Sequence, residues 1–464
     1  MIATIHAARA KGYINESVYP AHFHREIMPV WIQSTLIALG RAAPSLQSSY
    51  RWLELGCGNG ISAVVAAATN PLGHFVAIDA NPNAIEQARA LAQLAGVTNV
   101  EFHCETFEQA LSASQHSAPA YDFIVSHGVY SWVSRATRKS VHAIVHALLK
   151  PGGILYLSYA SQPGSASAAS AYKLMSQVAS LQGGDCVQRT EYAVGLIDQL
   201  TRAGAGYLRE QPRVAQEILH LAGLDINYTA HESISPHWES LHCADVIAEF
   251  EAIDCSYAGS AARIENIDAA SVPQKCQPLL EELKNQGASI ATQETFKDIV
   301  RNQSQRRDLF QRNNPSENNL LPPEIHRKNL LSQRVCLLQN FPNQDYCSNK
   351  SLRISTRIGP LEIPMELIHP LLLALKNGPM TYAELTQLAR YKNQPGQINQ
   401  LLQCLSDAGW IHYVRPDARD IISTETPSLL PLNRELSQLP VGVPPRNIKA
   451  IDLIGGSISI DTNP

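Results

Sequence analysis

Short apolar segments rich in β-forming residues alternate with longer helical patterns between Arg51 and Tyr159, and this alternation constrains the fold more than any other feature of the chain. It is typical of a parallel sheet with helices on both faces. The predicted strands cover residues 51–55, 74–78, 100–103, 122–126 and 154–159. The predicted helices cover residues 61–70, 83–95, 107–113 and 135–148. We therefore expect a doubly wound α/β domain.

The length of 464 residues is typical of roughly two to four domains. Hydrophobic residues make up 45% and charged residues 17%, so we expect most of the chain to fold. The first half of the chain is predicted to contain an N-terminal segment with the α/β core at 1–164 and a helical insertion at 165–228. A region at 229–312 then completes the same sheet with a helix at 238–253 and a strand at 255–261. It is followed by a polar linker at 313–350, a winged-helix-like α+β domain at 351–415, and a tail at 416–464 without clear periodicity.

Charge and cysteine content exclude several classes of protein. The 37 basic and 41 acidic residues give a formal charge of −4, so no global field attracts nucleic acid or an anionic membrane. The 9 cysteines form no CxxC pair, which argues against a zinc ribbon and indicates a reducing compartment. The first residues lack an apolar signal core, and no apolar run approaches the ~20 residues of a membrane span. We expect a cytoplasmic protein without membrane insertion.

The strongest chemical motif is ELGCGNG at residues 54–60, which ends the first predicted strand and opens the first helix. Glycines there let the backbone approach a ligand, and the helix N-terminus offers unpaired N–H groups. The dinucleotide fingerprint is GxGxxG, whereas the third glycine here comes one residue early, so NAD is disfavoured. The carboxylate of Glu54 suits a cationic amino-acid ligand better than a pyrophosphate.

Acidic residues also follow the next two strands. Asp79 ends the second strand 19 positions after Gly60 (79 − 60), where a carboxylate accepts both ribose hydroxyls. Glu105 and Thr106 follow the third strand, at the edge where a purine would lie. Together these positions describe a nucleoside with a cationic amino-acid end, which is S-adenosyl-L-methionine. The ExGxGxG pattern resembles motif I of the class I methyltransferases, which have a Rossmann-like fold.

Further blocks resemble bacterial methyltransferases that carry a regulatory domain. They lie at residues 127–132 (HGVYSW) and 158–164 (SYASQPG), at 228–232 (YTAHE), Trp238, 257–261 (YAGSA) and 306–310 (RRDLF), and at Tyr19-Pro20, Arg25-Glu26 and Pro29 in the N-terminal segment. The resemblance spans residues 13–415 and implies that the N-terminal segment covers the cofactor. The candidate cofactor-binding residues are Tyr19, Glu54, Leu55, Gly56, Cys57, Gly58, Gly60, Asp79, Ala80, Asn81, Glu105, Thr106 and His127.

This family includes the protein lysine methyltransferases that act on outer membrane proteins of rickettsiae, so the resemblance implies a protein substrate with a lysine acceptor. Methyl transfer needs the nucleophile, methyl and sulfur held in line, and no nucleophilic residue. Deprotonating a lysine of pKa ~10.4 at pH 7 costs roughly 4.6 kcal/mol unless the site lowers that pKa. We expect Tyr130 and Trp132 to form an aromatic acceptor pocket, with His127 as a candidate general base.

Other readings of these residues remain open. Tyr130 and Trp132 could instead pack the insertion against the sheet, and His127 could contact the cofactor. Glu232 could reach the site from the 229–312 region, whereas the spacing of His231, His237 and His242 does not favour a metal site.

Other functions remain open as well. The acceptor could be a small molecule methylated on oxygen or nitrogen, or the chain could be a non-catalytic cofactor-binding regulator. A DNA-binding role is disfavoured because the third helix of the winged-helix-like domain, at 396–408, has no Lys or Arg. We expect that domain to dock a partner or form a homodimer.

Overall fold

The structure is a computed structural model that describes residues 19–114, 118–316, 318–338, 350–392, 394–418, 427–439, 441–443 and 446–460. The expected start of the family resemblance at residue 13, part of the expected linker at 339–349 and parts of the tail lie outside these residues.

A seven-stranded, mostly parallel sheet forms the centre of the molecule. Its strands are β1 (Tyr50–Leu55), β2 (Gly73–Asp79), β3 (Val100–Cys104), β4 (Tyr121–Ser126), β5 (Leu149–Ala160), β6 (Cys255–Ser260) and β7 (Gln305–Arg312). They lie in the order β3-β2-β1-β4-β5-β7-β6, and β7 runs antiparallel to both of its neighbours. The expected doubly wound sheet is confirmed. The predicted strand at 255–261 does return to this sheet, next to β7 instead of β5.

Helices cover both faces of the sheet because its side chains alternate between two apolar layers. They are α1 (Pro29–Ala38), α2 (Ile61–Thr69), α3 (Pro82–Leu94), α4 (Phe107–Ser114) and α5 (Arg135–Leu148). Along β1, buried Trp52 packs in one layer with residues of α1, α2 and α3, whereas its neighbour Leu53 packs in the other with α5. The side chain of Asn81 accepts hydrogen bonds from the backbone N–H groups of Asn83 and Ala84 and so begins α3.

The insertion consists of helices with an apolar core of their own. These are α6 (Ala169–Leu181), α7 (Cys186–Arg202), α8 (Gly206–Glu210), α9 (Pro212–Leu224) and α10 (Ile226–Ser233). Met175, Ile197 and Ile218 are buried between them. Asp185 begins α7 with a capping box that includes Gln188. Because α10 continues past residue 228, the helical part extends beyond the predicted boundary.

The chain then returns to the sheet through α11 (Cys243–Glu251), β6, α12 (Asp268–Ser271), α13 (Gln277–Asn285), α14 (Ile290–Arg301) and β7. The helix predicted at 238–253 is shorter because residues before Cys243 bond to the core instead: Glu239 N–H donates to Ser131 O and Leu241 N–H to Ala160 O, both at 2.9 Å.

Buried Arg306 in β7 holds α14 against the sheet. Its guanidinium contacts the carboxylates of Glu294, Asp298 and Asp308 at 2.6 to 2.9 Å. Because these three acids come from two elements, the cluster fixes the position of the helix on the strand. The family-like block at 306–310 therefore has a structural role in this fold.

The segment expected as a linker contains a helix and a strand, α15 (Pro323–Ser332) and β8 (Arg334–Leu337). Pro323 stands in the first turn of α15, a position where proline favours a helix, so the proline-rich sequence was a helix start. Strand β8 is the middle strand of a small sheet in the C-terminal domain. Its pairing partners are remote in sequence, which is why the segment has no strand signal of its own.

The C-terminal domain adds β9 (Ser351–Thr356), β10 (Gly359–Pro364), α16 (Met365–Leu375), β11 (Met380–Thr381), α17 (Tyr382–Leu385), α18 (Pro395–Asp407) and β12 (Ile411–Tyr413). Its small sheet has the order β11-β8-β12, and β9 and β10 form a separate hairpin. The arrangement of three helices and this sheet is like a winged helix. Helix α18 is buried against the rest of the chain, and Asn399 Nδ2 donates to Ala38 O at 3.1 Å.

The tail, which the sequence left unassigned, folds back onto the α/β core. It contains α19 (Leu430–Gln438), β13 (Asn447–Ile451) and β14 (Gly456–Ile460), which pack against α2 and α3. Asn70 at the end of α2 donates through Nδ2 to Gly455 O at 3.1 Å. This packing covers one face of the core. The polar sequence of the tail does not indicate it.

Arg263 joins three remote parts of the chain. It is fully buried, and its guanidinium lies 3.8 Å from the ring centre of Trp31 and 4.3 Å from that of Tyr413. It donates to Thr35 Oγ1 at 3.0 Å and to Ser406 Oγ at 2.7 Å. The guanidinium of Arg263 therefore links the returning segment to the N-terminal helix α1 and to the C-terminal domain.

Replacing Arg263 by Met keeps much of the apolar stem but removes every donor. We expect Arg263→Met to lower the free energy of unfolding by roughly 2 to 4 kcal/mol, because buried hydrogen-bond acceptors lose a charged partner. Urea titration followed by circular dichroism measures the change. Arg353→Met is the control, because the Arg353 side chain, which pairs with Glu362, is 70% exposed. Equal losses in the two variants would contradict the role of Arg263.

Candidate functional site

A cleft opens at the carboxyl ends of β1, β2 and β4. Three parts of the chain line it: the turns after these strands, the N-terminal segment at 19–24, and the end of α10 with the residues after it. The strand order changes direction between β1 and β4, and ligands of open α/β sheets bind at such a point. The fold therefore places the candidate site where the sequence motif also lies.

The glycine turn forms the floor of the cleft. Gly56, Gly58 and Gly60 all have positive φ, at 83°, 53° and 72°. A Cβ on Gly56 would lie 2.3 Å from Val129 Cγ2, and one on Gly60 would lie 2.5 Å from Ala88 Cβ. A Cβ on Gly58 would meet no protein atom within 4 Å, so at this position of the cleft wall a side chain would point into open space. The other two permit close packing of the turn on its neighbours.

Asp79 is held with both carboxylate oxygens in place at the end of β2. Gly58 N–H donates to Oδ2 at 2.9 Å and Asn81 N–H to Oδ1 at 2.8 Å. Burial raises its pKa, whereas these backbone N–H groups and that of Ala80 lower it. Each oxygen keeps a further lone pair, so the side chain can accept both hydroxyls of a ribose.

Glu54 is a buried acid with an unmatched oxygen. Only 4% of the residue is exposed, and within the part of the chain that the structure describes its Oε2 has no hydrogen-bond partner, although Glu54 lines the cleft. Burial, and then the nearby charge of Asp79, raise the pKa of Glu54 to about 8. A buried acid without a donor is costly unless a ligand supplies one. The ammonium of an amino-acid ligand fits this position, and S-adenosylmethionine carries that group.

Most of the predicted cofactor-binding residues lie in the cleft wall, and a few do not. The wall includes Tyr19, Glu54, Gly56, Cys57, Gly58, Asp79, Ala80, Asn81 and His127. Leu55 is buried beneath the turn, and Gly60 packs on α3. Glu105 and Thr106 stay outside the wall, because the chain turns into α4 there and Phe107 points its ring into the cleft instead. An aromatic residue at a helix start gives no sequence signal of ligand contact.

His127 belongs to a stack of neutral imidazoles. Its ring centre lies 3.5 Å from that of His24, which in turn stacks on His22 at 5.5 Å. His127 Nδ1 is hydrogen bonded to the hydroxyl of Tyr156 at 2.8 Å. Burial lowers the pKa of His24 to about 3 and that of His127 well below its usual value. These rings are weak bases, so the structure does not support His127 as the general base.

Tyr130 and Trp132, predicted to act together, point to different places. Tyr130 is 1% exposed and lies outside the cleft wall, where its hydroxyl donates to Glu249 Oε2 at 2.6 Å and contacts His142. Trp132 lies in the wall, and its indole N–H donates to Glu232 O at 3.2 Å. The turn that joins them sends the two side chains apart, so the aromatic pocket is not made by this pair.

The end of the cleft next to Trp132 contains a half-buried carboxyl group. Glu232 Oε1 accepts a hydrogen bond from the hydroxyl of Tyr19, with 3.3 Å between the two oxygens. Burial raises the pKa of Glu232 to about 7, although the Tyr19 hydrogen bond opposes this shift. His231 and Ser235 complete this part of the wall. His22, His24, Phe107 and Ser235 are wall residues that the sequence did not single out, because their partners are remote in the chain.

The described residues hold no cluster of three or more His, Cys, Asp or Glu side chains placed to bind a metal. Within the same ranges, every helix is too short or too polar to cross a lipid bilayer.

Known proteins share these features. Residues 46–223 match the family model described as methyltransferase domain, and residues 225–312 match the one described as predicted methyltransferase regulatory domain. An uncharacterized protein of Synechocystis, sll1526, is 29% identical over 418 residues, which cover 89% of this chain and 78% of that protein. The malonyl-acyl-carrier-protein O-methyltransferase of Bacillus cereus is 30% identical over 125 residues, which cover 27% of this chain and 42% of that protein.

Two solved structures of PKMT2 from Rickettsia typhi, one of them in complex with AdoHcy, have the same fold. They match with TM-scores of 0.67 and 0.66 at 20% and 19% identity, over 95% of this chain and 86% of theirs. The sheet order, the glycine turn and the acids at the cleft define a class I S-adenosylmethionine-dependent methyltransferase. Residues 46–223 are therefore a methyltransferase domain, which is followed by a methyltransferase regulatory domain at residues 225–312, and S-adenosylmethionine is the cofactor.

We expect Asp79→Asn and Gly58→Val each to weaken S-adenosylmethionine binding more than tenfold, or about 1.4 kcal/mol. The first change weakens the acceptor for the ribose, and the second puts a side chain into the cleft. Titration calorimetry measures both. Asp245→Asn, at an exposed position on α11, is the control. Wild-type affinity in both site variants would disprove the cofactor position.

The raised pKa of Glu54 makes cofactor binding proton-coupled. At pH 7 its carboxyl group is mostly protonated, and a bound ammonium lowers the pKa so that the group ionises. We expect the wild type to release about one proton more than Glu54→Gln on binding at pH 7, and the difference to vanish above about pH 9. Calorimetry in buffers of different ionisation enthalpy measures proton release. The same release by both proteins at pH 7 would exclude Glu54 as the ammonium partner.

Proposed function

We propose that this methyltransferase acts on the side-chain amine of lysine in a protein substrate. When bound, S-adenosylmethionine supplies an electrophilic methyl group on its sulfonium. The observation that carries the proposal is the acceptor end of the cleft, where the half-buried carboxyl of Glu232 lies beside Tyr19 and Trp132. A carboxyl group among aromatic rings suits a cation on an apolar stem, which is the form of a lysine side chain.

The charge of the acceptor separates this proposal from other methyl acceptors. An anionic acceptor would face repulsion from Glu232 in a site with little water to screen it. Glu232 therefore favours an amine over an acyl-chain oxygen of the kind named in the Bacillus cereus relative. The fold shared with PKMT2 and the family-like blocks in the sequence agree with a lysine acceptor. The substrate itself is a proposal of ours.

The C-terminal domain gives little support to a DNA-binding regulator. Helix α18 would be the recognition helix of a winged helix, yet Ile398, Leu402 and Leu405 are buried in the core. Its end is also engaged, because Arg25 donates to Asp407 O at 3.0 Å. The polar residues Asn399, Gln403 and Ser406 are buried too, so little of the helix is exposed to reach a major groove, which argues against DNA binding.

The test is transfer of labelled methyl groups from S-adenosylmethionine into a lysate of the source cells, separated into protein and small-molecule fractions. We expect the label in protein, and methyllysine after acid hydrolysis. The Asp79→Asn variant at a cofactor concentration below its Kd is the control and should incorporate at least tenfold less. Label confined to small molecules would replace this proposal by the small-molecule alternative. No transfer at all would favour a non-catalytic cofactor-binding protein.

A further inference from the structure

Methylation of an amine also requires a group that removes a proton from the acceptor. Lysine enters as an ammonium, which has no lone pair to attack a methyl group, and only about one free lysine in 2,500 is neutral at pH 7. A group at the acceptor end must therefore take a proton. This requirement holds only if the acceptor is an amine, so the inference rests on the proposed function.

The basic groups of the cleft differ in their suitability for that task. His24 and His127 have a pKa far below 7 and bind protons weakly. Glu54 and Asp79 lie at the cofactor end, next to the glycine turn. Burial raises the pKa of Tyr19, so its hydroxyl stays protonated and acts as a donor. Burial also lowers the pKa of His22. His231 and Glu232 stand at the acceptor end, and of these two the carboxylate of Glu232 also attracts the positive charge of an ammonium.

The surroundings of Glu232 fit a proton acceptor. Its side chain lies in the cleft wall, and the groups that face it are Tyr19 of the N-terminal segment, Tyr172 of α6, and Tyr228 and His231 of its own helix. Tyrosines at these positions are neutral at pH 7. Neutral aromatic rings around the site disfavour both the ionised carboxylate and the ammonium. They therefore favour transfer of the proton from the ammonium to the carboxylate, which leaves a neutral amine and a neutral carboxyl group.

We propose that Glu232 accepts the proton that the lysine ammonium must lose, and that the Tyr19 hydroxyl is the positioning group that holds the carboxylate toward the acceptor. In this step an N–H bond of the ammonium breaks and an O–H bond forms on Glu232, leaving a neutral amine. The amine lone pair then bonds to the methyl carbon as the methyl–sulfur bond breaks. Glu232 returns its proton to water when the methylated product leaves, so each turnover releases one proton.

The pKa of Glu232 near 7 agrees with this role, because a general base works best when its pKa lies close to the working pH. Ionised Glu232 is the active form, so kcat/KM should fall as the pH drops through about 7. Tyr19 donates to the ionised form and lowers this pKa. Loss of its hydroxyl should therefore move the acid limb to higher pH.

The test compares Glu232→Gln, Tyr19→Phe and the control Glu251→Gln, which changes an exposed glutamate at the end of α11. We expect Glu232→Gln to lower kcat at pH 7 by about 10² to 10⁴-fold, to lose the acid limb, and to gain activity toward the pKa of the free amine. Tyr19→Phe should move the acid limb to higher pH, because it removes the donor that lowers the pKa of Glu232. Cofactor Kd by calorimetry should stay within a few-fold in Glu232→Gln and in the control.

A second readout does not depend on turnover. Infrared difference spectra of the protein should show a protonated carboxyl band that titrates near pH 7 and is absent from Glu232→Gln. A raised KM with unchanged kcat and an unchanged pH profile in Glu232→Gln would mean that Glu232 only binds the ammonium, and would overturn the inference. If label enters only small molecules, the proposed function fails instead, and the infrared band shows that the carboxyl itself was described correctly.

Discussion

The change of direction in the strand order is the constraint on which the rest of this structure depends. The chain builds β1, β2 and β3 outward on one side and then returns to place β4 next to β1. The helices that follow β1 and β4 leave on opposite faces, so a crevice opens between the strand ends. Residues that are far apart in sequence, such as Glu54 and His127, become walls of one cleft for this reason.

Buried and half-buried acids divide the cleft into two ends with different chemistry. Glu54 and Asp79 lie at the glycine turn, and Glu232 lies on α10 at the other end. Burial raises the pKa of all three, because a low-dielectric surrounding penalises the charged form. Asp79 offsets this penalty with backbone N–H groups, whereas Glu54 keeps an unmatched oxygen. The unmatched oxygen of Glu54 suits the ammonium of S-adenosylmethionine, the cofactor of this chain.

Segments outside the α/β core supply the acceptor end and hold it in place. The N-terminal segment brings Tyr19 to the cleft and is fixed further along by Trp31, whose indole N–H donates to Ala261 O at 2.7 Å. Arg263 then ties the same helix to the C-terminal domain. The regulatory region and the C-terminal domain therefore support the site through a continuous set of buried contacts, and Arg25 extends them to the end of α18.

The sequence by itself determined the elements whose signals are local. Alternation predicted the five strands of the first half, and spacing placed Glu54, Asp79 and the glycines at strand ends, where the structure has them in the cleft wall or just beneath it. Only the tertiary structure decided which side chains of a turn face the cleft: Tyr130 points into the core and Trp132 into the wall. It also recruited β8 and the tail, whose pairing and packing partners are remote. Local propensity cannot encode such choices, because they depend on which surface another part of the chain buries.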